Sequence, residues 1–393
     1  MADPLRVLIA GAGVAGLETM LALDALAGDR LAVTLLDPGT DFLYRPMTVA
    51  QPFAAGHATR HALAELAAAA GAEHVRDGLA AVDPAAQVVH TAGGRSLAYD
   101  ALVLALGAHE RPAYTHALTF DPLDTGPLGG LLRDIAQGYS RRIAVVVPPG
   151  PHWTLPAYEL ALLIAGHARG AGRDDVDVTL VVPEPVPLGV FGPAVSTAIC
   201  DELARAGVQL EPGVSADVRP GHAATVVLHP GGRRLEVDRV LALPRLEPRA
   251  VPGVGDEFLA VDGFGRVRGL KDIYAVGDGS SFPVKQGGLA AQQADAAALH
   301  LAARAGADVR PVPFRPVLRG RLLTTTGDRW LRRDPERDPV GRISDHALWC
   351  PAGKIAGRYL SLALADRDEP AVGVLSPPAD GVDVDVLVAA AQS

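Results

Sequence analysis

The stretch Leu5-Arg6-Val7-Leu8-Ile9-Ala10-Gly11-Ala12-Gly13-Val14-Ala15-Gly16 decides the fold. A short apolar run ends on three glycines spaced as GxGxxG, and a helical pattern follows from about Val14 to Leu26. Residues 31–36 form a second apolar run that ends at Asp37. Strand, glycine turn, helix, strand predicts a βαβ unit. Gly11 allows the tight turn, Gly13 lets the backbone approach a pyrophosphate, and Gly16 lets the helix pack close to the sheet. The helix opening at Val14 offers free N–H groups and a positive dipole end to phosphates. Asp37 lies 21 residues after Gly16, where a carboxylate accepts hydrogen bonds from both hydroxyls of an adenosine ribose.

Outward from this unit, the pattern predicts a helix at 58–71 and short strands and turns from Val75 to Asp100, with Gly93 and Gly94 as a hairpin turn. An apolar strand is expected at 101–107 and a Pro- and Gly-punctuated linker at 111–129. A second unit then begins: a strand at 142–147, a helix at 156–167, a strand at 177–182, a helix at 193–206 and a strand at 239–243. A strand at 273–278 precedes a helix at 288–305. The expected fold class is α/β, with two Rossmann-like three-layer domains and a small C-terminal segment. The expected domains are a discontinuous first domain at 1–115 and 255–310, a second at 130–250, and a C-terminal segment at 311–393 serving as an interface.

The composition is globular: 393 residues, 49% hydrophobic and 21% charged. A net charge of -9 argues against nucleic acid as a partner. The most basic stretch, Arg315 to Arg342, is broken by acids and apolar residues and reads as a solvated or structural face. No apolar run reaches the roughly 18 residues a transmembrane helix needs. Structure begins at once, leaving no room for a cleaved signal, so a cytoplasmic location is expected. Cys200 and Cys350 stand far apart with no CxxC, and both are expected to be buried structural thiols. His57 and His61 have i,i+4 spacing but no further ligand, so no metal is expected.

Two further motifs carry a resemblance. Ile273-Tyr274-Ala275-Val276-Gly277-Asp278 runs a strand into a glycine and an aspartate, and Ala105-Leu106-Gly107-Ala108 ends another. With the first glycine motif, these resemble the two-dinucleotide-binding flavoproteins, which include disulfide reductases and type II NADH dehydrogenases. The resemblance implies FAD, with Asp278 on its ribityl chain and Ala105, Gly107 and Gly277 beside it. Leu106 stands where that superfamily has threonine. The helix after Lys285 would bring its N-terminus to the flavin, with Gly287, Gly288 and Leu289 at the approach. Lys285 either adds a positive charge there or is a solvated surface lysine. Arg45, after the ribose-binding strand, is a further candidate contact.

The second unit departs from a phosphate cradle. Its turn reads Pro148-Pro149-Gly150-Pro151, and prolines offer no N–H to a phosphate. This turn, with Pro156-Ala157-Tyr158-Glu159 and Val181-Val182-Pro183-Glu184-Pro185, looks like sulfide:quinone oxidoreductases and flavocytochrome c sulfide dehydrogenases. In those families the second domain generally does not use NAD(P)H. The likeness covers about residues 1–310. Sulfide oxidation there needs cysteines near the flavin, and neither Cys200 nor Cys350 matches such a position, so sulfide is disfavoured.

Glu184 reads as a ribose ligand or a capping carboxylate. Tyr158 and Glu159 read as flavin-facing or as core. The apolar set Phe314, Leu318, Leu322, Leu323, Trp330 and Leu331 reads as core, a dimer contact or a quinone-side surface.

The expectation is therefore an FAD-dependent oxidoreductase. It would pass electrons from an unidentified small-molecule donor to a quinone or another acceptor. An NAD(P)H-dependent flavin reductase and a non-catalytic flavin-binding redox sensor stay open, as do a homodimer and peripheral membrane contact. No catalytic residue is assigned.

Overall fold

The computed structural model describes residues 3–220, 224–365 and 367. The end of the C-terminal segment expected at 311–393 therefore lies outside the described residues.

The first sheet is built from β1 (Leu5–Ala10), β2 (Leu31–Leu36), β3 (Glu73–Val75), β4 (Ala101–Leu104) and a later strand, Ile273–Ala275. Helices α1 (Val14–Ala27) and α2 (Leu63–Ala69) lie between its early strands. The second sheet is built from β5 (Leu118–Thr119), β6 (Arg142–Val146), β7 (Asp177–Val181), β8 (Val208–Glu211) and β9 (Arg239–Ala242). Its helices are α3 (Gly126–Gln137), α4 (Leu155–Gly170) and α5 (Pro193–Arg205). The late strand β10 (Ile273–Ala275) returns to the first sheet, and α6 (Gly287–Arg304) follows it. Strands β11 (Leu318–Leu322), β12 (Arg329–Asp334) and β13 (Asp338–Ser344) and the short α7 (Leu360–Ala365) complete the described chain.

The orders are β10-β4-β1-β2-β3 and β5-β9-β6-β7-β8, parallel throughout. Each sheet reverses its winding beside its central strand, so a crevice opens at the carboxyl end of β1 and another at that of β6. Helices cover both faces of such a sheet, which is why its strands read as unbroken apolar runs. All four residues of β4 are buried. Helices α1 and α6 pack together through small residues, with Ala15, Ala22, Ala290, Ala294, Ala297 and Ala298 all in one core.

Several local expectations change. The helix expected at 58–71 is only Leu63–Ala69, because Arg60–Ala62 pairs antiparallel with Asp41–Leu43. Part of the expected linker is structured. Helix α3 starts at Gly126 and buries Leu128, Leu131, Leu132 and Ile135, one face at helical spacing that Gly129 and Gly130 obscured. The antiparallel strands at 215–219, 224–229 and 234–237 form a sheet that was not foreseen. Gly93 and Gly94 do turn a hairpin, between strands 88–91 and 96–98.

The C-terminal sheet is core. Leu318, Leu322, Leu323 and Leu331 join the cluster that contains Phe191, Leu160 and Val195 of the second unit. Cys200 is exposed, not buried. The inner face of α5 is Val195, Ser196, Ile199, Glu202 and Leu203, and Cys200 falls just off it. Cys350 is half-buried.

One ion pair joins three parts of the chain. Lys354 Nζ donates to Glu159 Oε1 at 2.6 Å and Oε2 at 2.8 Å, and to the carbonyl of Pro46 at 3.0 Å. The N–H of Leu323 donates to the same carboxylate at 2.9 Å. Burial pushes Glu159 up and Lys354 down, and each charge is the main force opposing the other's shift. Beside it, the N–H of Ile355 donates to the Tyr44 hydroxyl at 2.8 Å, and Glu18 accepts the N–H groups of Tyr359 and Leu360.

Removing one partner of a buried pair strands the other charge, at about 3–5 kcal/mol. Lys354→Met should therefore lower the urea midpoint strongly, and Glu159→Leu added to it should restore most of the loss. A Lys354→Met protein as stable as the parent would show that the pair does not clamp these parts together.

Candidate functional site

The first crevice is shaped by the glycines of the opening motif. A Cβ on Gly16 would stand 1.9 Å from the Gly11 carbonyl oxygen, and one on Gly11 would stand 2.4 Å from that of Ala105. These two glycines hold α1, β1 and the end of β4 in contact. Gly13 is exposed with open space beside it, and Val14 begins the helix. Asp37 is set at the end of β2 by two backbone donors: Ala12 N–H to Oδ2 and Gly39 N–H to Oδ1, both 2.7 Å. An open approach at Gly13, a helix N-terminus and an oriented half-buried carboxylate fit the ADP half of FAD.

The second half of the site lies where both sheets end. A cavity of about 240 Å³ opens there. Its walls come from the chain after β6 (His152, Trp153, Leu155), after β9 (Leu243, Pro244) and after β10 (Asp278, Lys285, Gly287). Arg45, Glu110, Phe120, Arg321, Lys354 and Ile355 complete it, and Glu159 reaches it from α4.

Asp278 follows Gly277 in a single 3-10 turn. Burial pushes its carboxyl up to about 6, against the downward pull of Lys285. No hydrogen bond to this carboxylate is made among the described residues. Lys285 is buried, not solvated: its Nζ donates to the Ser280 carbonyl at 2.5 Å and sits 4.0 Å from the Phe258 ring centre. Burial pushes its ammonium down to about 8, with Asp278 pulling it back up. A half-buried carboxylate that accepts no hydrogen bond among the described residues, lining a cavity with a buried ammonium beside it, fits a polyhydroxylated chain such as ribityl.

Other sequence candidates fall around these groups. Ala105 is buried against Gly16, and Gly107 passes within reach of Gly279. The Gly277 N–H donates to Gln293 Oε1 at 2.8 Å, which fixes the turn before Asp278. Gly287 lines the cavity and Gly288 is buried behind it. Leu289 is placed differently from expectation. Its side chain is in the core and its N–H is taken by the Gln286 side chain at 2.9 Å. Arg45 is exposed and 3.6 Å from Glu110.

The second crevice is filled by its own side chains. The Tyr158 hydroxyl donates to Glu184, and the Leu188 N–H reaches the same oxygen at 3.2 Å. Burial raises Glu184, and burial together with Glu184 raises Tyr158. Trp153 packs edge-on against Phe191 at 5.7 Å, and the Lys285 N–H reaches the His152 carbonyl. Glu184, which the sequence leaves as a ribose ligand or a capping carboxylate, is thus engaged by Tyr158 of α4 and by the Leu188 N–H.

Lys354, Ile355, Trp153 and Gln286 were not legible as site residues. One signal was available. The chain has only three lysines among 36 basic residues, and two of them, Lys285 and Lys354, are buried at this cavity. Neither cysteine lines it. No helix of the described residues is long and apolar enough to cross a membrane, and no grouping of His, Cys, Asp and Glu among them suits a metal ion.

Residues 5–138 match the family described as pyridine nucleotide-disulphide oxidoreductase. The chain is 27% identical over 300 residues to the ferredoxin–NAD(+) reductase component of the biphenyl dioxygenase system of Paraburkholderia xenovorans (strain LB400), spanning 72% of this chain and 69% of that protein. Its fold is similar to that of the sulfide:quinone oxidoreductase of Aquifex aeolicus, with a TM-score of 0.77, 18% identity and 87% of each chain covered. It is also similar to a ferredoxin reductase of Rhodopseudomonas palustris, with a TM-score of 0.61, 20% identity, and 84% and 82% covered. Two parallel Rossmann-like sheets, with a first crevice whose residues fit the ADP half of FAD, agree with a flavoprotein oxidoreductase. Residues 5–138 thus match the pyridine nucleotide-disulphide oxidoreductase family, and the chain is an FAD-dependent oxidoreductase.

Asp278 sets up a pH-dependent test. Its folded pKa is raised above the roughly 3.9 of an unfolded aspartate, so its contribution to stability is full below pH 4 and is lost as pH rises through about 6. In the FAD-free protein, Asp278→Asn should therefore be more stable than the parent at pH 8, by on the order of 2 kcal/mol, with the gain vanishing toward pH 4. FAD affinity should fall about 10- to 100-fold, the worth of hydrogen bonds to a charged group. Paired melting curves and FAD titrations measure both. A variant that keeps full FAD affinity contradicts the assignment.

Proposed function

We propose that this enzyme passes electrons from a small-molecule donor other than NAD(P)H, through FAD, to a quinone or another small acceptor. The observation that carries the reading is the filled second crevice, with Glu184 bound by Tyr158 and Leu188 behind a turn of prolines. Phe120, Trp153, Leu155, Leu243 and Leu246 give the cavity an apolar wall suited to a flat apolar substrate.

In this reading Gly11, Gly13, Val14, Gly16 and Asp37 hold the ADP half of FAD. Ala105, Gly107, Gly277 and Asp278 hold the ribityl half, and Arg45 closes over it. Lys285, Gly287 and Gly288 present a positive helix end to the flavin ring, while Leu289 packs in the core with its N–H held by Gln286. Bound FAD supplies the two-electron chemistry, while the protein positions it and sets its electrostatics. Glu159 and Lys354 place a proton-bearing pair at the wall of the same cavity. Lys285 adds a positive charge that favours an anionic ring.

A second reading has an observation in its favour. The relative from Paraburkholderia xenovorans is named as a ferredoxin–NAD(+) reductase, which makes NAD(P)H a candidate partner here too.

Stopped-flow absorbance on the FAD-loaded protein separates the two. The first reading expects no bleaching of the flavin band within seconds of mixing with NADH or NADPH. It also expects anaerobic reoxidation of photoreduced protein by a soluble ubiquinone analogue. Rapid bleaching by either nicotinamide would overturn the first reading in favour of the second.

A further inference from the structure

The two units line the cavity between them with different chemistry. Arg45 follows β2, Glu110 follows β4, and Asp278 and Lys285 follow β10, so the first unit supplies charge. Phe120 follows β5, Trp153 and Leu155 follow β6, and Leu243 and Leu246 follow β9, so the second unit supplies an apolar wall. The carboxylate that the second unit adds, Glu159, is already held by Lys354 and by the Leu323 N–H. The carboxyl edge of a dinucleotide-binding sheet ordinarily meets phosphates and ribose hydroxyls. Here that edge offers carbon.

Trp153 is the largest side chain of this wall and is half-buried. It stands in the turn after β6, where a phosphate-binding sheet would carry glycines. The turn is pinned from both units. The His152 backbone pairs with Val284, and its carbonyl accepts the Lys285 N–H at 3.4 Å. On the other side, Thr154 Oγ1 donates to Glu184 at 3.4 Å.

The indole is also backed. It packs edge-on against Phe191, with ring centres 5.7 Å apart. Phe191 is fully buried, and the C-terminal sheet closes on it: a Cβ on Gly320 would stand 2.8 Å from its ring, and Gly341 lies against its carbonyl. Trp153 therefore has a rigid support. Its polar end is different. Trp349 donates its indole N–H to the Gly353 carbonyl at 2.9 Å, whereas the Trp153 indole N–H meets no acceptor among the described residues. A tryptophan taken out of water ordinarily finds such a partner.

We propose that Trp153 is the specificity-determining residue of this cavity and selects a flat, uncharged aromatic carbonyl compound. The inference rests on the reading that NAD(P)H is not the donor, and it names the group that takes the nicotinamide's place. The indole ring packs against the substrate's ring, and its N–H donates to the substrate's carbonyl oxygen. A phosphorylated substrate finds no partner on this wall.

Two probes test this: 2,3-dimethyl-1,4-naphthoquinone and 2,3-dimethylnaphthalene, the same rings without carbonyls. The methyl groups block addition of the exposed Cys200 thiol. Each is titrated into the oxidised, FAD-loaded full chain, and the shift of the flavin band gives Kd. The quinone should bind the parent saturably at one site per chain. Trp153→Phe keeps a ring and loses the N–H, so it should weaken the quinone about 3- to 10-fold and leave the hydrocarbon within about twofold. Trp153→Leu should weaken the quinone about 10- to 100-fold and the hydrocarbon as well. The Phe variant decides the matter if the Leu variant does not fold. The proposal is overturned if the quinone does not bind the parent, if Trp153→Leu binds it like the parent, or if Trp153→Phe affects both probes alike. Bleaching of the parent flavin by NADH overturns the proposed function whatever the variants do. A parent that NADH leaves oxidised, and whose quinone affinity ignores Trp153, overturns this inference alone.

Discussion

Parallel strands can discharge their ligands only at their carboxyl ends, and here two parallel sheets point those ends at one gap. The Glu159–Lys354 pair spans it, drawing a helix of the second sheet and a loop of the first onto a strap from the C-terminal part of the chain. Such a contact costs much to desolvate and returns the cost only when every donor and acceptor is met. Leu323 and Pro46 supply the remaining hydrogen bonds, so the clamp has one geometry.

This explains why the chain needs its C-terminal sheet. Its leucines do not form a separate body. They finish the core under Phe191 and deliver Lys354 to the cavity from outside both Rossmann-like units. Asp278 and Lys285 show the complementary economy. Both are held in environments that disfavour their charges, and a bound cofactor with hydroxyls and an electron-rich ring would relieve that tension.

The fold was legible where burial on both faces of a sheet writes an unbroken apolar run, as in Leu5–Ala10, Leu31–Leu36 and Arg142–Val146. It was illegible where one face is wet. Strands 215–237 alternate polar and apolar residues beneath charged surface, and α3 hides its stripe behind two glycines. The site divided in the same way. Gly11, Gly16 and Asp278 announce themselves by local spacing, because a turn must be built from neighbours. Lys354 and Glu159 are 195 residues apart, and a contact of that range leaves no periodic trace. Cys200 shows the converse error: a thiol within a helical pattern is read as inward, yet a shift of one residue from Ile199 turns it out.

The scarcity of lysine has a practical side. With Lys285 and Lys354 enclosed, Lys271 is the one lysine side chain held in solvent, 91% exposed beside Asp272. Beside the α-amino group, amine-directed reagents thus meet one lysine on the folded protein. A dye, a surface or a polymer joined through lysine would take it up by a single handle just ahead of β10, in one orientation. The two enclosed amines would join the reaction only in molecules whose cavity had opened.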